Sequence, residues 1–357
     1  MNFASDNVMG ASPQVLQALL RANDGPLPAY GSDPITRAVE RRLAELFERE
    51  LTVALVATGT AANALALSLL TPPWGICLCH REAHVMEDEC GAPEFYTHGA
   101  KLVGLDGVGA KVKADDLESY LRGLTSHVRQ MPPKALTISQ ANECGLVYST
   151  EQIAALSDVC HRHGLRLHMD GARFANALVA LGSSPAEMTW RSGVDILSFG
   201  ATKNGCLAAE AIVVFDPELA RTLEYRRKRS GHTLSKGRLL AAQLEGYLAN
   251  DHWLDNARHA NRMATRLAQG LRSLPGVRLA WPTEANEVFP ILPRSMDAAL
   301  KSAGAVYHPW SGASLAPGEQ VRADEILVRL VTSFATCEED VRRFLSIAEA
   351  AASKAGA

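Results

Sequence analysis

Short apolar runs rich in β-branched residues alternate with helical patterns through the first 250 residues. The runs predict seven strands, at residues 53–58, 76–79, 101–105, 135–139, 165–169, 194–199 and 211–215. Helical patterns between them include residues 61–70, 114–124 and 150–163. Thr150 and Ile153 make no full capping box, but Ser149-Thr150-Glu151 still indicates a helix start. Strands that alternate with helices of this length predict an α/β fold, in which helices cover both faces of a mostly parallel seven-stranded sheet.

The order of the pattern changes after about residue 250. A long helical stretch at 253–274 precedes strand patterns at 277–281, 287–292, 305–308 and 326–331, with helices near 296–302 and from Glu338. We therefore predict an N-terminal arm (1–14), a large domain (15–250) and a smaller C-terminal α+β domain (251–357). Ligands of parallel sheets bind beyond the carboxyl ends of the strands, so chemistry is expected there.

Composition excludes several classes of protein. With 36 basic and 39 acidic residues the net charge is −3, which gives no reason to expect a nucleic acid or an anionic membrane as partner. Neither a secretory signal nor an apolar run of about 18 residues is visible. Seven cysteines form no Cys-x-x-Cys pair, and Cys77 and Cys79 are expected to be core thiols on one strand face, not a metal or disulfide site. A reducing cytoplasm is the expected compartment.

Three motifs that follow predicted strands suggest chemistry when taken together. Residues 58–63, Thr-Gly-Thr-Ala-Ala-Asn, lead into a helix whose N-terminus could bind a phosphate. Asp170 ends a strand, where it could equally cap the next helix. Lys203 follows a strand among small residues, as a Schiff-base lysine requires. Pyridoxal phosphate needs a lysine, an acid and a phosphate site, so the combination predicts this cofactor.

Motifs along the whole chain resemble the threonine aldolase family, in particular the low-specificity L-threonine and phenylserine aldolases. They are Ser5-Asp6-Asn7, Tyr30-Gly31-x-Asp33-Pro34, residues 58–63, His84 with Glu89, residues 168–173 (His-Met-Asp-Gly-Ala-Arg) and residues 198–203 (Ser-Phe-Gly-Ala-Thr-Lys). The family belongs to the aspartate-aminotransferase-like pyridoxal-phosphate enzymes of fold type I. The resemblance implies cleavage of threonine, allo-threonine or phenylserine to glycine and an aldehyde. It also implies a homodimer or homotetramer with shared active sites.

The resemblance assigns cofactor contacts residue by residue. Lys203 would form the Schiff base and Asp170 would hold the pyridine nitrogen. Three residues would bind the phosphate: Gly59, Thr60 and Thr202. His84 would stack on the cofactor ring and act as the catalytic base, directly or through a water. His127 is the expected second catalytic histidine, and no metal is expected.

Substrate contacts are also implied by the resemblance. Arg173 would lie near the cofactor's phenolic oxygen and the substrate carboxylate, which Ser5 would also reach, and Tyr30 is a further expected substrate contact. Arg329 would bind the same carboxylate from the small domain. An arginine inside an otherwise apolar strand is in any case costly unless it is paired.

Two segments depart from the family pattern. The glycine-rich stretch that follows the lysine loop becomes residues 230–236, Ser-Gly-His-Thr-Leu-Ser-Lys. The resemblance implies that a neighbouring subunit lends a residue to the phosphate, and Lys236 is the expected residue, with Arg229 as the alternative. Residues 142–145, Asn-Glu-Cys-Gly, lack a histidine that some members carry there. These departures indicate a divergent branch of the family, in which the substrate range differs.

Other functions of such a chain predict different products. A β-eliminating lyase acting on an amino acid would release ammonia and a keto acid instead of glycine. An aminotransferase would need a second substrate and a stable pyridoxamine form. A non-catalytic regulator would bind the cofactor without turnover and carry a DNA-binding module, for which the predicted domains leave no segment.

Overall fold

The computed structural model describes residues 1–125 and 127–355 of the chain. Its strands are β1 (Thr52–Val56), β2 (Ile76–His80), β3 (Lys101–Leu105), β4 (Pro133–Ser139), β5 (Arg166–Gly171), β6 (Ile196–Gly200), β7 (Glu210–Val214), β8 (Arg278–Leu279), β9 (Glu287–Val288), β10 (Pro290–Pro293), β11 (His308–Pro309) and β12 (Glu325–Val331). The first seven form one sheet and the other five a second sheet.

The helices surround these two sheets. They are α1 (Pro13–Ala22), α2 (Pro34–Leu46), α3 (Gly59–Leu70), α4 (His84–Glu87), α5 (Ala92–Tyr96), α6 (Ala114–Arg122), α7 (Thr150–Arg162), α8 (Phe174–Leu181), α9 (Pro185–Met188), α10 (Pro217–Ala220), α11 (Leu223–Arg229), α12 (Arg238–Leu248), α13 (His252–Arg272), α14 (Arg294–Ser302) and α15 (Glu338–Ala355). Single 3-10 turns occur at Asp6–Val8, Val108–Ala110, Trp190–Ser192, Thr202–Asn204 and Ala249–Asp251. No helix among the described residues is both long and apolar enough to span a membrane.

The large sheet has the strand order β1-β7-β6-β5-β4-β2-β3 and is parallel except at β7, which runs antiparallel to both of its neighbours. The prediction of a mostly parallel seven-stranded sheet is confirmed. All seven strand patterns correspond to strands, with ends that shift by a few residues. The strand predicted at 53–58 ends at Val56, because Thr58 instead caps α3 by accepting a hydrogen bond from the Ala61 N–H at 3.1 Å.

One helix start was predicted incompletely from the sequence. The cap of α7 is Ser149, whose hydroxyl accepts from the Gln152 N–H while the Gln152 side chain accepts from the Ser149 N–H. This pair is a full capping box, displaced by one residue from the Thr150–Ile153 spacing that the sequence analysis tested. The two reciprocal bonds satisfy backbone donors that the first helical turn leaves free.

The small antiparallel sheet has the order β11-β12-β10-β8, with β9 paired to β12. Its core includes Phe3 from the N-terminal segment, whose backbone N–H donates to the Val306 carbonyl and whose carbonyl accepts from the Val331 N–H. The α13 helix contributes to both cores, because Trp253 packs with the large sheet and Met263 with the small one. The two parts of the chain therefore share a helix and are joined by the arm.

The cysteines Cys77 and Cys79 are buried on the same face of β2, as the spacing predicted. All seven cysteines are free thiols, and five of them are buried. Burial raises the pKa of Cys79 to about 12, so this thiol stays protonated and packs as a small apolar side chain.

Candidate active site

The register of the large sheet brings three strand ends to one edge. Ser139 of β4 pairs with Asp170 of β5, which pairs with Ser198 of β6. Gly200, at the end of β6, and Val56, at the end of β1, both pair with Glu210 of β7. The segments that follow β1, β5 and β6 therefore leave the sheet at the same edge. These segments are the ones that carry the three chemical motifs of the sequence.

Asp170 is buried at this edge and is held by two donors. Its Oδ2 accepts from the Asn63 side-chain amide at 2.8 Å, and its Oδ1 accepts from the Ala172 backbone N–H at 3.0 Å. Asp170 is 5% exposed, so its carboxylate lies largely out of water. The alternative that Asp170 serves only as a helix cap is not supported, because the N-cap of α8 is Arg173.

His84 and Glu89 extend this arrangement into a hydrogen-bonded chain. The His84 Nδ1–H donates to Glu89 Oε1 at 2.8 Å, and the same oxygen accepts from the Asn63 amide at 2.8 Å. His84, Glu89, Asn63 and Asp170 are thus linked in series. The hydrogen bond to Glu89 raises the pKa of His84, and burial raises the pKa of Glu89. Because Nδ1 is the donor, the lone pair of neutral His84 lies on Nε2.

Among the described residues, one cluster of side chains could hold a metal ion, and its members belong to this hydrogen-bonded series. Ligand atoms of His84, Glu89 and Asp170 are all within 4.8 Å of one another. The geometry places the His84 ring directly beside the Asp170 carboxylate. Each of the three side chains already has a hydrogen-bond partner.

The His168 side chain lies in the sheet beneath the site and is polar but uncharged. This buried ring bridges β4 and β6, with Nδ1 2.8 Å from Thr137 Oγ1 and Nε2 3.0 Å from Ser198 Oγ. Burial lowers the pKa of His168 to about 4, so the ring stays uncharged at neutral pH. It positions neighbouring strands without adding a charge below Asp170.

The N-terminus of α3 faces this edge and offers the expected anion site. Gly59 and Thr60 form its first turn. A Cβ placed on Gly59 would meet no atom within 4 Å, so space is open beside this backbone. Unpaired N–H groups and the helix dipole favour a phosphate at such a position.

Lys203 is half-buried in the 3-10 turn Thr202–Asn204, which follows the end of β6. Thr202 Oγ1 accepts from the Ala209 N–H at 3.3 Å, and Glu210 accepts from the Ala201 N–H at 3.0 Å. Burial raises the pKa of Glu210 to about 7. These contacts hold the lysine turn against β7.

A second cluster beside Lys203 contains two arginines and two acids. Arg173 donates from Nε to Asp6 Oδ2 at 2.9 Å and from Nη2 to Asp6 Oδ1 at 3.1 Å. Its Nη2 also lies 3.3 Å from Glu287 Oε1. Burial alone would lower the pKa of Arg173, but the Asp6 and Glu287 carboxylates outweigh it and raise that pKa. The Arg329 guanidinium lies 4.6 Å from the Trp310 ring centre.

Ser5 is brought to this cluster by the arm, where it caps the turn that contains Asp6. Its hydroxyl accepts from the Asn7 N–H at 3.1 Å. The structure therefore gathers most of the predicted site residues: Lys203, Asp170, His84, Gly59, Thr60, Thr202, Arg173, Arg329 and Ser5 lie at or beside one edge of the sheet.

The structure does not bring His127 to this edge within one chain, so its role as a second active-site histidine stays a prediction. His127 is exposed in the segment that enters β4, where its Nδ1 accepts from the Arg129 N–H at 3.1 Å. This segment leads to the amino end of β4, whereas Asp170 lies at the carboxyl end of the neighbouring parallel strand. The two lie at opposite edges of the sheet.

Tyr30 and Lys236 lie on a separate exposed surface. The Tyr30 N–H donates to the Ser235 carbonyl at 2.9 Å, and the Lys228 ammonium lies 4.8 Å from the Tyr30 ring centre. Arg229 is also exposed at the end of α11. In the contacts of the described residues, none of these side chains bonds to the Asp170 or Arg173 clusters.

Sequence reasoning gave no role to several residues that build the site. They are Asp6, Asn63, Glu143, Glu210, Asn286 and Glu287. Glu143 accepts from the His84 backbone N–H at 2.9 Å and from the Ser139 hydroxyl at 2.6 Å, and so fixes the start of α4. A usable signal existed for Asp6 and Asn63, because both lie inside motifs that carried the family resemblance.

Comparisons with known proteins agree with this arrangement. A protein-family model described as beta-eliminating lyase matches residues 2–293. The low specificity L-threonine aldolase of Pseudomonas aeruginosa is 43% identical over 311 residues, which cover 87% of this chain and 89% of that protein. The counterpart from Saccharomyces cerevisiae is 24% identical over 290 residues, or 81% of this chain and 73% of that protein.

Solved structures extend the comparison to the fold. The Leishmania major threonine aldolase superposes with a TM-score of 0.90 at 30% identity, covering 98% of both chains. The Sphingomonas wittichii serine palmitoyltransferase has a TM-score of 0.70 at 19% identity, over 100% of this chain and 88% of that one, and shares the fold. The architecture is that of fold type I pyridoxal-phosphate enzymes. The chain belongs to the beta-eliminating lyase family and, within it, to the threonine aldolases.

Proposed function

We propose that the protein uses pyridoxal phosphate to cleave a β-hydroxy-α-amino acid, of the threonine, allo-threonine or phenylserine type, into glycine and an aldehyde. The observation that carries the proposal is the convergence of Asp170, Lys203 and the α3 N-terminus on one sheet edge, with an arginine pair beside them. The relatives named threonine aldolases support the same reaction.

The residues at this edge fit the cofactor. The first turn of α3 has open space at Gly59 for a phosphate, and Asp170 offers a buried carboxylate for a pyridine nitrogen. The half-buried Lys203 would carry the cofactor as a Schiff base. The Oδ1 of Asn63 is buried without a hydrogen-bond partner, as expected of a polar group beside a ligand site.

Bound pyridoxal phosphate would supply an electron sink for the charge that develops at Cα when the Cα–Cβ bond breaks. Asp170 would keep a proton on the pyridine nitrogen, since a buried anion stabilises the adjacent positive charge. Its two hydrogen bonds, from Asn63 and Ala172, hold the carboxylate in place.

The chain supplies a base at His84. Glu89 accepts from Nδ1, which leaves the Nε2 lone pair free to take the β-hydroxyl proton of the substrate, directly or through a water. The side chain of His84 is 41% exposed, so it can reach a ligand. This orientation resembles the way a buried carboxylate fixes the histidine of a hydrolytic triad.

Arg329 and Arg173 would bind the substrate carboxylate, with Ser5 at the same cluster. Arg329 Nε is buried without a hydrogen-bond partner, although its guanidinium stacks on Trp310. A guanidinium with a buried and unused donor favours a carboxylate ligand, which it can bind through two parallel bonds. Binding there would fix the orientation of the Cα–Cβ bond.

We further propose that two chains complete each site, in a homodimer or homotetramer. Tyr30 and Lys236 would extend from the surface of one subunit into the site of its neighbour, since both are exposed and the Tyr30 N–H holds their segments together at Ser235. A symmetric dimer forms two such sites with one self-complementary interface.

Subunit mixing tests this assembly. Inactive Lys203→Ala and inactive Lys236→Ala proteins, dissociated and reassociated together, should recover about a quarter of wild-type activity. Half of the randomly formed dimers are mixed, and each mixed dimer has one intact site. Each variant reassociated with itself is the control. Fully active monomers, or proven subunit exchange without recovery, would contradict the shared site.

Product analysis tests the reaction itself. Incubation with threonine and phenylserine isomers should yield glycine and the matching aldehyde. Ammonia and a keto acid would instead identify β-elimination, which the matched family's description keeps as the second candidate.

Seven free thiols support a reducing cytoplasm as the site of action.

A further inference from the structure

Glu287 is a buried carboxylate beside the arginines of the second cluster. It lies in β9, paired with Val331 of β12, and is 1% exposed. Its Oε1 is 3.3 Å from Arg173 Nη2, yet neither carboxylate oxygen has a hydrogen-bond partner. The contact with Arg173 is thus an ion pair without hydrogen-bond geometry.

The better-placed acid for Arg173 is Asp6, not Glu287. Asp6 accepts two hydrogen bonds from Arg173 and a third, at 3.0 Å, from the Asn286 amide. Asp6 therefore takes the hydrogen bonds of Arg173, while Glu287 contributes only its charge. Glu287 is an additional negative charge, and the cations that act on it are Arg173, Arg329 and Lys203.

For both Glu287 and Arg329, burial outweighs the nearby opposite charges in setting the direction of the pKa shift. Burial raises the pKa of Glu287, while Arg173 and then Arg329 oppose that rise. Burial lowers the pKa of Arg329, and Glu287 is the main group that opposes this fall. Arg329 Nε also lacks a hydrogen-bond partner. The charges of Glu287 and Arg329 interact, but each side chain has atoms without a hydrogen-bond partner.

Glu287 is confined by its neighbours. A Cβ on Gly145 would lie 3.1 Å from the Glu287 Cβ, so the loop after β4 packs directly against this residue. A buried carboxylate without hydrogen bonds is costly for folding, so its charge must be balanced by nearby cations. Here those cations are the same arginines that the proposed function assigns to the substrate.

We propose that Glu287 limits the affinity of the site for carboxylates, as the resident counter-ion of the Arg173–Arg329 pair, with which the substrate carboxylate competes. The inference rests on the proposed carboxylate-binding role of these arginines. Before substrate binds, Asp6 and Glu287 are the acids that face the positive charges of Arg173, Arg329 and Lys203. An incoming carboxylate must therefore share Arg329 with an anion that is already present, and Glu287 weakens the binding of every α-amino acid.

Ligand binding to the cofactor-loaded protein tests the proposal without turnover. Glycine carries the carboxylate, whereas glycinamide has the same amine and a neutral amide. Calorimetric titration should show that Glu287→Gln binds glycine about tenfold more tightly than wild type, a change of about 1.4 kcal/mol. Glycinamide should bind both proteins within about twofold, since it brings no anion to the arginines.

Two controls separate the local effect from net charge. Glu319→Gln removes the same charge from an exposed position, and its glycine affinity should match wild type. Glu287→Asp keeps the anion and should also remain near wild type. If Glu287→Gln folds poorly in a thermal melt, Glu287→Met offers a neutral side chain of similar length and should give the same gain.

Unchanged or weaker glycine binding in a folded, cofactor-loaded neutral variant would overturn the proposal. An equal gain for glycinamide would do the same. Failure of the proposed function is detected separately, by the absence of glycine release from threonine and phenylserine in the wild-type protein. A charge-dependent gain in glycine binding would stand even then.

Discussion

Replacing Asp170 by asparagine should leave cofactor binding largely intact and lower turnover by about three orders of magnitude. Lys203 and the α3 N-terminus remain to bind the cofactor, and an amide can still accept from Ala172 N–H. The carboxylate charge is lost. At an effective dielectric of about 20, a unit charge pair 4 Å apart is worth about 4 kcal/mol. Each 1.36 kcal/mol in the barrier is about tenfold in rate, so the expected loss in kcat is about a thousandfold.

The assay is glycine formation under saturating substrate, with cofactor content measured from visible absorbance. A matched control is Asp195→Asn. Asp195 is also buried and accepts from the Arg166 guanidinium at 2.7 Å and the Leu167 N–H at 2.8 Å, but it precedes β6 at the opposite edge of the sheet. That variant should lose stability and keep kcat. Turnover of Asp170→Asn within about tenfold of wild type would refute the electrostatic argument.

Three other substitutions separate the roles of neighbouring groups. Lys203→Ala should abolish both visible cofactor absorbance and turnover, and a borohydride-reducible adduct on another lysine would contradict the assignment. Glu89→Gln should lower kcat and move the acidic limb of the pH–rate profile to lower pH, because the hydrogen bond from His84 to Glu89 raises the pKa of His84. Glu87→Gln is the control, since Glu87 is exposed in the same segment. Burial raises the pKa of Glu210 from 4.5 to about 7. The cofactor-free protein should therefore lose about 3 kcal/mol of its free energy of unfolding as the pH rises through that range. Urea unfolding of Glu210→Gln should not show this loss.

Most strands of the large sheet were predictable because they are buried on both faces and appear as continuous apolar runs, although the edge strand β3 is only partly buried. Polar residues that stand at or just after the end of such a run are visible in the sequence, and Asp170 and Lys203 were found in this way. Parallel register then dictates that they share an edge. The prediction needed no knowledge of tertiary contacts beyond the alternation of strands and helices.

Contacts between distant segments could not be predicted in the same way. Asp6 meets Arg173 across 167 positions and Asn286 across 280 positions. Neither contact follows from local periodicity, because each depends on how the arm and the small domain pack on the large sheet. Glu287 was missed for the same reason, since its short strand resembles an ordinary alternating edge strand. His127 lies at the other edge of the sheet in its own chain, because the direction of β4 places the segment that precedes this strand there.

The arm gives the site a link between its two halves. Asp6 accepts from Arg173, which follows β5 of the large sheet, and from Asn286, which precedes β9 of the small sheet. Asn286 also donates to the Thr332 carbonyl at 2.7 Å, immediately beyond the strand that carries Arg329. A continuous set of hydrogen bonds therefore runs from Arg173 through Asp6 and Asn286 to Thr332, three residues after Arg329. Because the same arginines are proposed to bind one carboxylate, their separation depends on Asp6, and the arm acts as a structural part of the substrate site.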